Sequence, residues 1–312
     1  MPVHPQVEEI LEAGRDAPAP SSIEEAREQY AAGCMTYVGM AEPVERVSDE
    51  DADGVRVRVF VPKDAPEDEP LPCVLWIHGG GWILGTIDAH DALCRALCNM
   101  AGAVVVSVDY RLAPEHQHPS QLSDCSTALR WVQREAASLG VDPSRLAVAG
   151  DSAGGNLAAV VARRFASELV FQVLVYPAVD ATCSTPSYTS CGGDEYGLSR
   201  DHMQLCWAAY APDAPSDPDV SPLLAPDLAG LPPALVVCAE YDPLKDEGLA
   251  YAERLREAGV DARAVCFDGM VHGFFRWRGG VDAAHEAMEE AAGALRAAFG
   301  SERLSPLPAP AT

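Results

Sequence analysis

Leu146-Ala147-Val148-Ala149-Gly150-Asp151-Ser152-Ala153-Gly154-Gly155-Asn156-Leu157-Ala158-Ala159-Val160-Val161 reads as a short apolar run, a serine set among glycines, and a helix-like segment. A G-x-S-x-G pattern between a strand and a helix places the serine on a sharp turn with its hydroxyl exposed. A side chain at Gly150 or Gly154 would collide with the neighbouring strand or helix. A serine between glycines also suits any tight turn. What surrounds it decides the matter.

Outward from this turn, apolar runs alternate with helix-length segments. The runs are Cys73–Ile77, Ala103–Val108, Leu146–Ala149, Phe171–Tyr176, Ala234–Ala239 and Ala262–Phe267. Continuous apolar runs separated by helices predict parallel strands buried on both faces, a three-layer α/β architecture. Upstream, Val55, Val57, Val59 and Val61 alternate with Arg56, Arg58 and Phe60, which predicts a strand in an antiparallel edge region. The first forty residues predict short amphipathic helices, with Val7, Ile10 and Leu11 on one face and Ser22-Ile23-Glu24-Glu25 as a capping box. From Asp180 to about Pro222 the chain is polar, with a helical patch near Met203–Tyr210 and no strand signal. An insertion of that size between strands suits a lid or cap.

In an open parallel sheet, ligands bind at the carboxyl ends of the strands. Three further motifs fall at such ends. His78-Gly79-Gly80-Gly81-Trp82 follows Cys73–Ile77, and consecutive glycines let several backbone N–H groups converge on one point. Acyl transfer needs such a cradle, because charge builds on the carbonyl oxygen in the transition state. Glu240-Tyr241-Asp242-Pro243-Leu244 follows Ala234–Ala239 and offers a carboxylate to orient an imidazole. Asp242 is preferred because Pro243 fixes the turn after it; Glu240, Asp246 and Glu247 compete. Asp268-Gly269-Met270-Val271-His272-Gly273-Phe274 follows Ala262–Phe267. Of the histidines weighed, His272 alone lies in a strand-end loop downstream of the acid. His78 sits in the glycine loop, His116, His118 and His202 come too early or in the insertion, and His285 falls on the last helix. Ser152, acid, then His272 is the chain order of serine hydrolases of the α/β type.

Composition narrows the partners. With 48% hydrophobic residues, a mean hydropathy of −0.02 and 312 residues, the chain can bury a large core. The net charge of −25 argues against nucleic acid and anionic membrane surfaces, which demand basic patches. Lys63 and Lys245 are the only lysines; arginine supplies the remaining positive charge. No apolar segment reaches the length of a membrane span. The stretch Met1–Leu11 has no basic start with an apolar core, so a cytoplasmic location is expected. The ten cysteines show no paired metal spacing. Cys73, Cys238 and Cys266 are expected to be buried in apolar runs, and Cys183 and Cys191 to be the pair open to oxidation.

The combination of His78-Gly79-Gly80-Gly81-Trp82 and Gly150-Asp151-Ser152-Ala153-Gly154-Gly155 resembles the hormone-sensitive lipase (bacterial group IV) esterases. Asp109-Tyr110-Arg111-Leu112-Ala113-Pro114-Glu115-His116, Asp217–Leu223, Asp242–Gly248 and His272-Gly273-Phe274 extend the likeness over nearly the whole chain. The resemblance implies an α/β-hydrolase fold, a carboxylesterase of short to medium acyl esters, no cofactor, no metal, and a homodimer. It implies Ser152, Asp242 and His272 as the triad, and the N–H groups of Gly80, Gly81 and Ala153 as oxyanion donors. Trp82, Leu198, Met203, Trp207 and Phe274 are candidates for the substrate pocket, each equally suited to core packing. The expected organisation is a helical cap segment at 1–45, core at 46–180, a cap insertion at 181–222, core again at 223–303 and a disordered tail at 304–312. An amidase, lactonase or sugar deacetylase would share the triad chemistry on this fold. Dehalogenases and epoxide hydrolases place an aspartate where this chain has Ser152. A non-catalytic receptor of the same fold lacks the histidine, which is present here.

Overall fold

Strands rich in Val, Ile and Leu with no polar face must be covered on both sides, and an eight-stranded sheet meets that need in the order β1-β2-β4-β3-β5-β6-β7-β8. The computed structural model describes residues 2–15, 18–66 and 69–300; the expected tail at 304–312 lies outside the described residues. Helices α1 (Pro5–Arg15) and α2 (Ile23–Thr36) precede the hairpin of β1 (Arg46–Ala52) and β2 (Val55–Val61). Then come β3 (Leu71–Ile77), α3 (Asp91–Ala101), β4 (Val104–Val108), α4 (Ser120–Arg134), the single turn α5 (Ala136–Leu139), β5 (Val141–Asp151) and α6 (Ala153–Arg164). The chain continues through β6 (Phe171–Val175), α7 (Ser187–Ser190), α8 (Arg200–Tyr210), β7 (Ala234–Tyr241), α9 (Lys245–Glu257), β8 (Ala262–Val271) and α10 (Asp282–Ala298).

Only β2 runs antiparallel to its neighbours β1 and β4; β3 to β8 are parallel. Strand pleating sends alternate residues to opposite cores. Val57, Val59, Leu75, Ile77, Val106 and Val148 join Leu122 and Leu129 of α4 and Leu157 of α6 in one layer. Phe60, Val74, Trp76, Val105 and Ala147 join α3 and α10 in the other. Each large side chain buried this way contributes about 1.5–3 kcal/mol.

The Val55–Val61 strand does lie in the antiparallel edge region, with β1 outermost, and three local expectations change. The sequence of β1, RVSDEDA, carries little apolar signal because only Ala52 of it is buried and the rest is exposed or half-buried. Its backbone pairs with β2 through the Asp53-Gly54 turn, where both residues have positive φ, 55° and 91°. Across that pair, Asp49 accepts from Arg56 (2.5 Å) and Arg58 (2.6 Å). At the other edge, β8 has only β7 beside it among the described residues, so Arg263 to Asp268 are exposed or half-buried and Cys266 is exposed rather than buried. Cys183 and Cys191 reverse in the opposite sense: both are buried by the fold of the 181–222 segment. The capping box is offset by one residue. Ser22 accepts from the Glu25 N–H, but the Glu25 carboxylate reaches back to Ser21.

Candidate active site

The strand order reverses between β3 and β5, where adjacent strands send their connections to opposite sides of the sheet, the position at which open α/β sheets hold ligands. Ser152 follows β5, the His78–Trp82 loop follows β3, Asp242 follows β7, and His272 follows β8. Four chain segments far apart in sequence therefore meet at one end of the sheet.

Ser152 is held at φ 57°, ψ −118°, a conformation that costs a non-glycine residue about 1–3 kcal/mol. Its N–H donates to Val175 O at 2.8 Å, and its carbonyl accepts from Asn156 (3.0 Å) and Ala178 (3.3 Å). Close packing permits nothing larger than glycine on either side. A Cβ at Gly150 would lie 2.6 Å from Ile77 O, and one at Gly154 2.6 Å from His78 O.

His272 Nε2 lies 2.9 Å from Ser152 Oγ, and His272 Nδ1 lies 2.7 Å from Asp242 Oδ2. Asp242 is fully buried, and its other oxygen accepts the Leu244 N–H at 2.8 Å. The competing acids have other partners. Glu240 accepts from the Gly269 N–H, Asp246 from Ser187, and Glu247 from Val179 and Asp180. Tyr176 packs its ring 4.6 Å from that of His272. Gly273, at φ 87°, turns the chain directly after the histidine.

Gly80 and Gly81 adopt φ of 120° and 60°, and neither N–H is bonded to another described group. The N–H of Ala153 opens α6, in the first turn where no intrahelical acceptor exists. Gly79 donates to Asp151 Oδ1 at 2.8 Å, tying the glycine loop to the serine turn. His78 lies beneath this loop, stacked 4.3 Å from Tyr110. Burial, with the charge of His90 adding to it, pushes its pKa down to about 3, so it stays neutral. From outside the sheet, Arg27 of α2 donates to Ile83 O (2.9 Å), Ala113 O (3.1 Å) and Glu115 (2.7 Å), clamping the segments after β3 and β4.

Four of the five pocket candidates share one apolar cluster. Trp82 stacks 4.4 Å from Tyr210 and 4.2 Å from Trp207, with Met203 buried and Leu198 half-buried in the same layer. Phe274 belongs to the opposite layer, packed against Tyr176 and Phe267. A Cβ at Gly81 would lie 2.5 Å from Cys206 Sγ, so α8 presses directly on the glycine loop. A surface depression of about 580 Å³, lined by Ser123, Ser126, Arg130, Arg164 and Phe165 among others, contains none of these residues. Two neighbours of the site escaped the motif search: His90, 3.6 Å from Asp151, and Arg276, 3.8 Å from it. His90 sits between Asp88 and Asp91, and Arg276 two residues before Arg278, so neither stands out locally in the sequence.

A serine with a strained backbone, an imidazole bonded to it, a buried carboxylate behind the imidazole and free N–H groups alongside can together carry out acyl transfer. The comparisons with known proteins agree with that chemistry. A family model described as alpha/beta hydrolase fold matches residues 74–276. A carboxylesterase, NlhH, of Mycobacterium tuberculosis is 47% identical over 254 residues, covering 78% of this chain and 79% of its own. An ethyl acetate hydrolase of Pseudomonas putida is 36% identical over 300 residues, covering 90% and 93%. Among solved structures, an esterase of Pyrobaculum calidifontis superposes with a TM-score of 0.88 at 42% identity, covering 95% of this chain and 99% of that one.

Proposed function

The chain belongs to the α/β-hydrolase fold family, among its hormone-sensitive-lipase-like esterases, and from that premise we propose that it is a serine carboxylesterase with Ser152, His272 and Asp242 as its triad. The observation that carries the assignment of residues is the unbroken line from Ser152 Oγ through the His272 ring to Asp242, at 2.9 and 2.7 Å.

Ser152 Oγ attacks the ester carbonyl carbon while His272 Nε2 takes its proton. Asp242 holds the ring with Nδ1–H towards it and stabilises the positive charge. The N–H groups of Gly80, Gly81 and Ala153 receive the oxyanion, aided by the positive end of α6. Collapse of this intermediate expels the alcohol, which takes the proton from His272. A water molecule then attacks the acyl-enzyme and gives His272 a proton. The proton returns to Ser152 as the carboxylic acid departs. No step calls for a metal or cofactor.

Residues 1–45 and 181–222 form the cap in this proposal, with core at 46–180 and 223–303. Small esters with short to medium acyl chains are the substrates, a reading supported by the crowded cluster of Trp82 with Met203 and Trp207 of α8 and by the ethyl acetate hydrolase among the relatives. Esterase relatives do not favour an amidase, lactonase or deacetylase. No helix among the described residues is long and apolar enough to cross a membrane. A homodimer and a cytoplasmic location complete the proposal. Sedimentation at the single-chain mass of 33.1 kDa would remove the dimer.

The test is turnover of p-nitrophenyl acetate, butyrate, octanoate and palmitate by the wild type and Ser152→Ala. The variant is expected to lose activity by about 10⁴-fold or more. Equal rates would sink the serine mechanism, and palmitate as best substrate would sink the short-chain reading.

A further inference from the structure

Asp151 is almost completely buried directly before Ser152 and takes no part in the proton transfers. Its Oδ1 accepts the Gly79 N–H at 2.8 Å, and a Cβ on Gly79 would lie 2.6 Å from Oδ2. The carboxylate therefore sets how closely the glycine loop approaches the serine turn. A buried carboxylate needs compensating charge to stay ionised. Burial pushes the Asp151 carboxyl up, but the neighbouring His90 and Arg276 side chains and the Gly79 N–H outweigh it and hold it at about 2.

Arg276 lies four residues after His272 and reaches three elements at once. Its Nε is 3.8 Å from Asp151 Oδ2. Its Nη1 donates to the Tyr30 hydroxyl at 2.6 Å and to Cys34 Sγ at 2.9 Å, both on α2, and the guanidinium sits 5.1 Å from the centre of the Tyr30 ring. Its Nη2 lies against Gly273, where an added Cβ would come within 3.0 Å. One side chain thus joins the histidine loop, the serine turn and helix α2.

Building on the serine-esterase reading, we infer that Arg276 is a positioning residue for the oxyanion site: it fixes the Asp151 carboxylate, which fixes Gly79 and so the donors at Gly80 and Gly81. Helix α2 is part of the same device, because Tyr30 and Cys34 hold the far side of the guanidinium. The effect falls on the transition state, where the carbonyl oxygen becomes an oxyanion, more than on ground-state binding.

The experiment compares wild type with Arg276→Met and Arg276→Lys on p-nitrophenyl butyrate. It also measures inhibition by phenylboronic acid, whose tetrahedral serine adduct places an oxygen among the oxyanion donors. For Arg276→Met, kcat is expected to fall about 10- to 100-fold with KM changed less than about threefold, and boronate affinity to fall in parallel with kcat/KM. Arg276→Lys keeps the charge but cannot span Asp151 and Tyr30 together, so its loss is smaller in both readouts. A folded Arg276→Met with wild-type kcat and boronate affinity overturns the inference. If that variant does not fold, Arg276→Lys decides alone, and unchanged kcat and boronate affinity again overturn it. Failure of both to fold assigns Arg276 a purely structural role and also overturns it. Absence of ester turnover in the wild type would defeat the esterase reading, and this one with it. Wild-type turnover with unaffected variants defeats this one alone.

Discussion

Chain order and strand-end position point to Ser152, Asp242 and His272, and the contacts distinguish Asp242 from acids that spacing leaves open. Asp242 alone among them bonds the imidazole; Glu240, Asp246 and Glu247 are bonded to backbone N–H groups elsewhere. Glu247 yields a prediction at this scale. Burial drives its carboxyl well above the ordinary 4.5, with Asp180 adding to the effect. A carboxyl with a raised folded-state pKa favours folding fully below its unfolded value and loses that contribution as pH rises through the folded value. Glu247→Gln keeps an acceptor oxygen for Val179 and Asp180 without the charge. Its stability relative to wild type should therefore increase from about pH 5 to about pH 8, by on the order of 1–3 kcal/mol. A urea-melt difference independent of pH would refute this.

The turn from β5 into α6 is the element on which the fold and the proposed chemistry both depend, and its glycines are unequal. At Gly154 an added Cβ meets the carbonyl of Ile77, the last residue of β3, which cannot move without disturbing the sheet, and that of His78 just after it. At Gly155 the nearest atom is Pro177 Cβ at 3.0 Å, where a shift of a few tenths of an ångström suffices. Gly154→Ala should lose about 1–3 kcal/mol or more and most of its activity, while Gly155→Ala loses less in both. Comparable melting temperatures for the two would show that the turn is not this tight. Elements with a strong hydrophobic signal, β3 to β7, were legible in the sequence. The strand β1 was not, since only Val47 and Ala52 of it are apolar and backbone pairing and the Asp49–Arg58 contact hold the rest. The strand β8 was legible as a strand but not as an edge, because strand order depends on crossover geometry rather than composition.

At the scale of the whole molecule, all ten cysteines are free, and Cys266 alone is exposed. Burial raises the Cys183 thiol to about 11, against the expectation that it would oxidise readily, and Cys191 is buried against the backbone of β7. Ellman's reagent should label one thiol in the native protein and ten in denaturant. Two or more fast-reacting native thiols would mean that the 181–222 segment opens. The sequence alone determined the alternation of buried strands and helices, the glycine turn and the order of serine, acid and histidine. The first two are written in neighbouring residues, whose spacing and side-chain size constrain the local backbone directly, and the third in the order of the strand-end motifs along the chain. The tertiary structure decided which acid meets the imidazole, which strand lies at the edge, which cysteines see water and that Arg276 joins α2 to Asp151. Those outcomes depend on contacts between residues 30 to more than 200 positions apart, such as His272 with Asp242 and Arg276 with Cys34, and only chain folding brings such groups within bonding distance.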